Sequence, residues 1–234
     1  MEQIIKSEEL LEWDSRFFGY GVGRIRTDGT NEAEIDAQLD RLRKQKCRLV
    51  YVFSPRPLQL QGFKTLLVDR KRSYILSSPR HKPVELPVVQ ARTASPELYD
   101  LACQAGEYSR FRVDPDIPEE YGMRLYRQWL DNSLSGQFAD FVLTCECDGK
   151  PVGLVTAGIK GSELSIGLIA TDRAFRCRGI GGSLIQTIIN MAADRGLDVE
   201  VTTQADNLDA CRFYERHGFR TSSQDFVYHI WLPA

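Results

Sequence analysis

The chain has 234 residues, 42% of them hydrophobic and 26% charged, a balance that excludes disorder, collagen-like repeats and a disulfide scaffold and allows one large domain or two smaller ones. Thirty Lys plus Arg against 32 Asp plus Glu leave a net charge of −2, so no global field draws the protein onto nucleic acid or an anionic membrane, and an anionic ligand must be held locally. Residues 1–9 lack the positive and apolar regions of an export signal, no apolar run of ~18 residues occurs, and the six scattered cysteines read as reduced thiols of a cytoplasmic protein. His81, His217 and His229 lie far apart with no partner at a ligating spacing, so no metal is expected.

In chain order, Ile35, Leu39 and Leu42 predict a helix over 31–46, and Leu49, Tyr51 and Phe53 alternate as a strand over 48–53. The Arg70-Lys71-Arg72 run reads as a solvated hairpin end, with contact to a nucleotide phosphate as the alternative. Pro79, Pro83 and Pro87 interrupt the stretch 77–87, which marks a boundary between an α/β unit over 1–80 and a second domain over 88–234. The second part predicts a strand at 88–92, a helix capped by Ser95, an amphipathic helix over 118–134, and a meander of strands at 140–147, 152–159 and 163–171 with turns at Asp148-Gly149 and Lys160-Gly161.

Gly179, Gly181 and Gly182 then precede Leu184, Ile185, Ile188, Met191 and Ala192, the stripe of a buried helix. A strand over 197–203, a helix capped by Asn207 and stopped at Gly218, and a last strand over 225–232 complete the pattern. Gly62-Phe63-Lys64-Thr65 followed by Asp69 echoes Gly218-Phe219-Arg220-Thr221 followed by Asp225. The first half therefore reads either as a degenerate copy of the second domain's C-terminal half or as a chance match.

The run Arg176-Cys177-Arg178-Gly179-Ile180-Gly181-Gly182 combines side-chain-free backbone, a helix N-terminus and two guanidiniums, the requirements for gripping a pyrophosphate. A plain glycine turn with solvated arginines is the alternative. Arg176, Gly179 and Gly181 resemble the Q/R-x-x-G-x-G/A motif of the GNAT acetyltransferase superfamily. Asn207, Ala210, Phe213, Tyr214, Gly218 and Phe219 resemble its later N-x-x-A-x-x-F/L-Y-x-x-x-G-F element.

This resemblance covers roughly 88–234. It implies an α/β (α+β) fold with a mixed, mostly antiparallel sheet splayed into a V, flanking helices, and acetyl-CoA in the cleft. The pantetheine arm would then meet the backbone of Ile169, Ala170 and Thr171. The pyrophosphate would meet Arg176 and the segment Arg178, Gly179, Ile180, Gly181, Gly182 and Ser183, with Asn207 and Tyr214 facing the thioester.

A closer resemblance lies in Trp13-Asp14-Ser15-Arg16-Phe17-Phe18-Gly19, in Ser109-Arg110-Phe111-Arg112, and in Val201-Thr202-Thr203-Gln204 with Asn207. These look like the bacterial dTDP-4-amino-4,6-dideoxygalactose N-acetyltransferase family of surface-polysaccharide synthesis, although Trp13, Phe17 and Phe18 also suit plain core packing. What this implies is an acceptor amine on a nucleotide-linked sugar bound by Ser109, Arg110 and Phe111, with a homodimer as an option. An amino acid, peptide or drug amine is the rival acceptor, and a catalytically silent acetyl-CoA-binding module the rival class.

Acyl transfer from a thioester to an amine needs a proton for the departing thiolate, and Tyr214 is the residue the resemblance points to, with a packed aromatic as the alternative. The sequence singles out no general base. Glu107, Asp114 and Asp116 lie in the segment where the resemblance places acceptor contacts, with solvated loop carboxylates as the commoner reading.

Overall fold

The structure, a computed structural model, describes residues 7–60 and 62–233; residues 1–6, part of the stretch read for an export signal, lie outside the described residues. Ten strands make one sheet in the order β1-β2-β3-β10-β4-β9-β8-β7-β6-β5. The strands are β1 (Ser7–Leu10), β2 (Gly21–Arg26), β3 (Cys47–Ser54), β4 (Lys64–Leu76), β5 (Val89–Gln90), β6 (Phe141–Cys147), β7 (Lys150–Lys160), β8 (Glu163–Thr171), β9 (Asp198–Gln204) and β10 (Arg220–Trp231). The helices are α1 (Glu12–Phe18), α2 (Glu32–Lys44), α3 (Pro96–Ala105), α4 (Arg110–Val113), α5 (Glu119–Leu134), α6 (Ile180–Ala193) and α7 (Leu208–Arg216). Among the described residues, only two strand pairs are parallel, β2 with β3 and β8 with β9. Each is joined by one helix, α2 or α6, as a crossover requires.

Local chemistry sets the element ends. The side chains of Asn31, Ser95 and Asn207 accept hydrogen bonds from the N–H groups of Glu34, Leu98 and Ala210 and so cap α2, α3 and α7. The β6–β7 turn places Asp148 and Gly149 at φ 51° and 73°, the left-handed pair that a two-residue hairpin turn needs. Along β6, Val142 packs with Leu98 of α3 and Leu130 of α5, while its neighbour Leu143 joins Leu184 and Ile188 of α6. Alternate residues thus feed helix layers on opposite faces. Each such aliphatic side chain contributes about 1.5–3 kcal/mol when fully buried.

Two expectations change here. The Arg70-Lys71-Arg72 run is no hairpin end: it lies inside β4, hydrogen-bonded to β10 on one side and β9 on the other. The strand expected over 88–92 shortens to Val89–Gln90 at the sheet edge.

The placement of β10 between β3 and β4 makes residues 7–76 and 89–231 parts of one continuous sheet, so the proline-rich connection 77–87 runs outside it. The central pair is nearly self-equivalent. Lys64 faces Trp231 at one end and Arg220 faces Ile75 at the other, so the echoed Gly-Phe-Lys/Arg-Thr segments open two neighbouring antiparallel strands at equivalent positions.

The two parallel pairs differ where function could begin. β2 stays paired with β3 through Arg26 and Phe53. β8 pairs with β9 only from Glu163 and Asp198 to Ile166 and Val201, yet β8 continues along β7 to Thr171 and β9 continues along β4 to Gln204. The sheet therefore splays beyond Ile166 and opens a V between Gly167–Thr171 and Thr202–Gln204. A bulge in the β7–β8 ladder accompanies it, where Thr156 Oγ1 accepts the Leu168 N–H at 2.9 Å. Among the described residues, no helix is long and apolar enough to cross a membrane.

Candidate active site

The V opens into a cavity of about 770 Å³. One wall is the edge of β8 from Gly167 to Thr171, which has lost its β9 partner, and the other is Thr202, Thr203 and Gln204. Such an edge presents backbone N–H and C=O groups that a ligand must satisfy, because burying them unpaired is costly.

Helix α6 starts at the mouth of the cavity. Gly179 takes φ 80°, a conformation that costs glycine nothing and turns the chain sharply into the helix. The amides of Ile180, Gly181 and Gly182 then occupy the first turn, where no intrahelical acceptor exists and the helix dipole is positive. All three residues line the cavity. A Cβ on Gly181 would stand 3.4 Å from both Thr171 Oγ1 and Phe213 Cε2, so a larger side chain would occupy the space a ligand must enter. The helix can lie this close to the sheet because Gly153 of β7 sits beneath it, where a Cβ would come within 2.5 Å of Ile180 Cγ2.

The structure brings together most of the sequence-predicted residues. Ile169, Ala170, Thr171, Arg176, Asn207 and Tyr214 line the cavity with the α6 glycines, and Ser109, Arg110 and Phe111 line its other end. Arg176 donates through Nε to the Thr171 carbonyl at 3.4 Å and stands 3.9 Å from Glu107, which aims its charge across the mouth. Two residues lie elsewhere. Ser183 bonds its N–H back to Gly179 and accepts the Leu86 N–H at its hydroxyl, and the Arg178 guanidinium lies over the Phe175 ring.

Tyr214 is 2% exposed and packs against the rings of Tyr74, Phe213 and Phe219. Burial raises its hydroxyl well above the ordinary tyrosine range, so it holds its proton at neutral pH. Asn207, the residue immediately before α7, spends its side-chain oxygen on the helix cap.

At the far end, Ser109 caps α4 by accepting the Phe111 N–H, and the Arg110 guanidinium lies over the rings of Tyr51, Phe53 and Phe111. Tyr126, Trp129 and Asp69 complete this end. None of these three stood out in the sequence as a site residue, although Asp69 belongs to the echoed segment. Asp114 is not a solvated loop carboxylate: it is 1% exposed and accepts hydrogen bonds from His229 Nδ1 at 2.7 Å and Trp231 Nε1 at 3.0 Å. It ties the segment after α4 to β10, which fixes this end of the cavity against the central sheet. Trp13, Phe17 and Phe18 pack with Phe111, Tyr121 and Val227, and so support that end from behind.

A sheet splayed at a parallel pair, with an unpaired strand edge on one wall and a glycine-opened helix at the mouth, has the build of an acyl-CoA-dependent transferase. The model of the Acetyltransferase (GNAT) family matches residues 97–219. The dTDP-fucosamine acetyltransferase of Escherichia coli O6:H1 is 32% identical over 97% of this chain and 97% of its own. The spore coat polysaccharide biosynthesis protein SpsD of Bacillus subtilis is 26% identical over 57% of this chain, which spans 46% of that relative. Among solved structures, a GCN5-related N-acetyltransferase from Sphaerobacter thermophilus superposes with a TM-score of 0.60 at 16% identity, over 97% of this chain and 77% of its own. The chain belongs to the GNAT acetyltransferase family and is an acetyl-transferring enzyme.

Proposed function

We propose that the enzyme transfers the acetyl group of acetyl-CoA to the amine of a nucleotide-linked amino sugar, a dTDP-4-amino-4,6-dideoxyhexose, in the cytoplasm during surface-polysaccharide synthesis. The observation that carries this reading is the continuity of the cavity, from the α6 amides past Tyr214 to an end furnished by Ser109, Arg110, Tyr126 and Trp129. The near full-length relative that acts on dTDP-fucosamine supports the acceptor class, and the polysaccharide-synthesis relative agrees with it. Residues 1–80 are read as a degenerate copy of the C-terminal half whose own strand pair has stayed closed.

The residues present suit acetyl-CoA. The amides of Ile180, Gly181 and Gly182, with Arg176 beside them, would hold the pyrophosphate. The backbone of Ile169, Ala170 and Thr171 would pair with the pantetheine arm and polarise the thioester carbonyl. Acetyl-CoA supplies an activated acetyl group and a thiol leaving group. Tyr214 lines the cavity and is protonated at neutral pH, so its hydroxyl is the donor available to the departing sulfur. At the acceptor end, aromatic faces offer stacking to a base or sugar, and Arg110 offers a fixed positive charge to a diphosphate.

A thiol-release screen over dTDP- and UDP-linked amino sugars, amino acids, peptides and simple amines tests the reading. The nucleotide amino sugars are expected to give the highest kcat/KM. Turnover of a simple amine or a peptide with none for any nucleotide amino sugar would overturn the acceptor assignment.

A further inference from the structure

Among the described residues, Asp69 is the one carboxylate that a strand of the sheet delivers into the cavity. It sits on β4 opposite Val227 of β10, just past the point where Lys71 pairs with Gln204 at the end of β9, so β4 carries it beyond its neighbour strand and into the V. The side chain is 8% exposed, lines the cavity with Ser109, Arg110 and Tyr126, and leaves its Oδ1 buried without a hydrogen-bond partner. An unsatisfied buried carboxylate oxygen is costly in a folded protein and marks a place where a ligand donor completes the set.

We propose that Asp69 is the general base of the acetyl transfer, receiving the proton of the acceptor's amino group as the nitrogen attacks. The proposal rests on the reading of the acceptor as an amine, and it supplies the role for which the sequence offered no residue. The step balances. The nitrogen lone pair forms the N–C bond, the C–S bond breaks with its electrons going to sulfur, the Tyr214 hydroxyl protonates the sulfur, and the nitrogen's proton passes to the Asp69 carboxylate. Solvent exchange then returns one proton to Tyr214 and removes one from Asp69.

The surroundings set Asp69 for this role. Burial is the largest influence and lifts its carboxyl to about 6, while Arg110 of α4, Lys71 of β4 and a hydrogen bond from Gln204 of β9 pull it down, and Asp206 beyond β9 pushes it up. Tyr126 of α5 lies close enough to feel its charge. From β10 the facing residue is the apolar Val227. A base of this strength is ionised at neutral pH and still basic enough to take a proton from nitrogen, which a solvated aspartate with a pKa near ~3.9 does much less well.

The test is the pH dependence of kcat/KM for whichever amine the screen shows to be turned over, nucleotide-linked or not, so the identity of the acceptor is judged separately from the base. The wild-type profile is expected to break near pH 6, in addition to any break from the amine itself. Asp69→Asn is expected to lower kcat by ~10²- to 10⁴-fold and to erase the break near pH 6. Its thermal shift with acetyl-CoA should be unchanged, which shows that the variant is folded and loads its cofactor, and Asp69→Glu should restore the break. A wild-type profile without that break overturns the proposal. So does an Asp69→Asn enzyme that keeps the break, keeps its kcat, or loses only acceptor affinity. Failure of the wild-type enzyme to acetylate any amine overturns both this proposal and the reading it rests on.

Discussion

Replacing Gly181 by valine tests the cofactor grip directly. Gly181 lies within α6 with ordinary helical backbone, so valine there carries no left-handed strain and is no worse than glycine in helix propensity. The new Cβ would stand 3.4 Å from Thr171 Oγ1 and from Phe213 Cε2, a contact that the two neighbours absorb with small shifts. The two further methyl groups have nowhere to go except the gap between the first turn of α6 and the β8 edge, where the pyrophosphate would meet the amides. Acetyl-CoA at ~100 times its Kd stabilises a folded protein by about 2.7 kcal/mol, which for a chain of this size raises the midpoint by roughly 5–11 °C. Gly181→Val is therefore expected to melt within a degree or two of wild type when free and to show almost none of that shift when acetyl-CoA is added. Scanning fluorimetry with and without the ligand reads both numbers. An undiminished shift in a normally folded variant would refute the assignment of the α6 amides.

Two further outcomes follow from the acceptor end. Arg110→Ala should raise acceptor KM with little change in acetyl-CoA affinity, and because the guanidinium lowers the Asp69 carboxyl, the break near pH 6 should move upward; steady-state kinetics over pH read both, and an unmoved break contradicts the pairing. His229 is fully buried, and burial lowers its imidazole from 6.5 to about 4 even though Asp114 accepts its Nδ1 proton. The folded state thus binds fewer protons than the unfolded one between these values, and the stabilisation from neutral His229, on the order of 3 kcal/mol at most, is complete above pH 6.5 and lost as the pH falls toward 4. His229→Asn should flatten this part of the stability profile relative to wild type in denaturant titrations at each pH, and an unchanged slope would show that His229 does not titrate in this window.

The parts of the fold written in short-range patterns were legible in the sequence. The meander, helix α6 and helix α7 follow from turn pairs, caps and the glycine run, and β8 is found over the residues expected. Strand β4 was hidden because its middle, Asp69-Arg70-Lys71-Arg72, breaks hydrophobic alternation. These charges are tolerated in a central strand because Asp69 and Arg70 lie beyond the last β4–β9 pair, Asp69 bordering the cavity and Arg70 paired with Asp206, while Arg72 donates to Gln224 Oε1. Interleaving of β10 between β3 and β4 is a long-range pairing with no local signature apart from the echoed Gly-Phe-Lys/Arg-Thr segments. At the site, Ser183 follows the glycines directly, yet as the fourth residue of α6 its N–H is bonded to the Gly179 carbonyl, and neither it nor Arg178 lines the cavity. Asp114 was misread because its partners, His229 and Trp231, lie at the other end of the chain.

The most direct test of acetyl transfer at this cleft is kcat for Tyr214→Phe, measured by thiol release at saturating acetyl-CoA and nucleotide amino sugar under conditions where chemistry limits turnover. Tyr214 is buried among aromatic rings, so loss of its hydroxyl leaves packing intact and removes only the proton that the proposal assigns to sulfur. A fall of ~10²- to 10⁴-fold with acetyl-CoA affinity preserved is the predicted result. A kcat close to that of the wild type would contradict it.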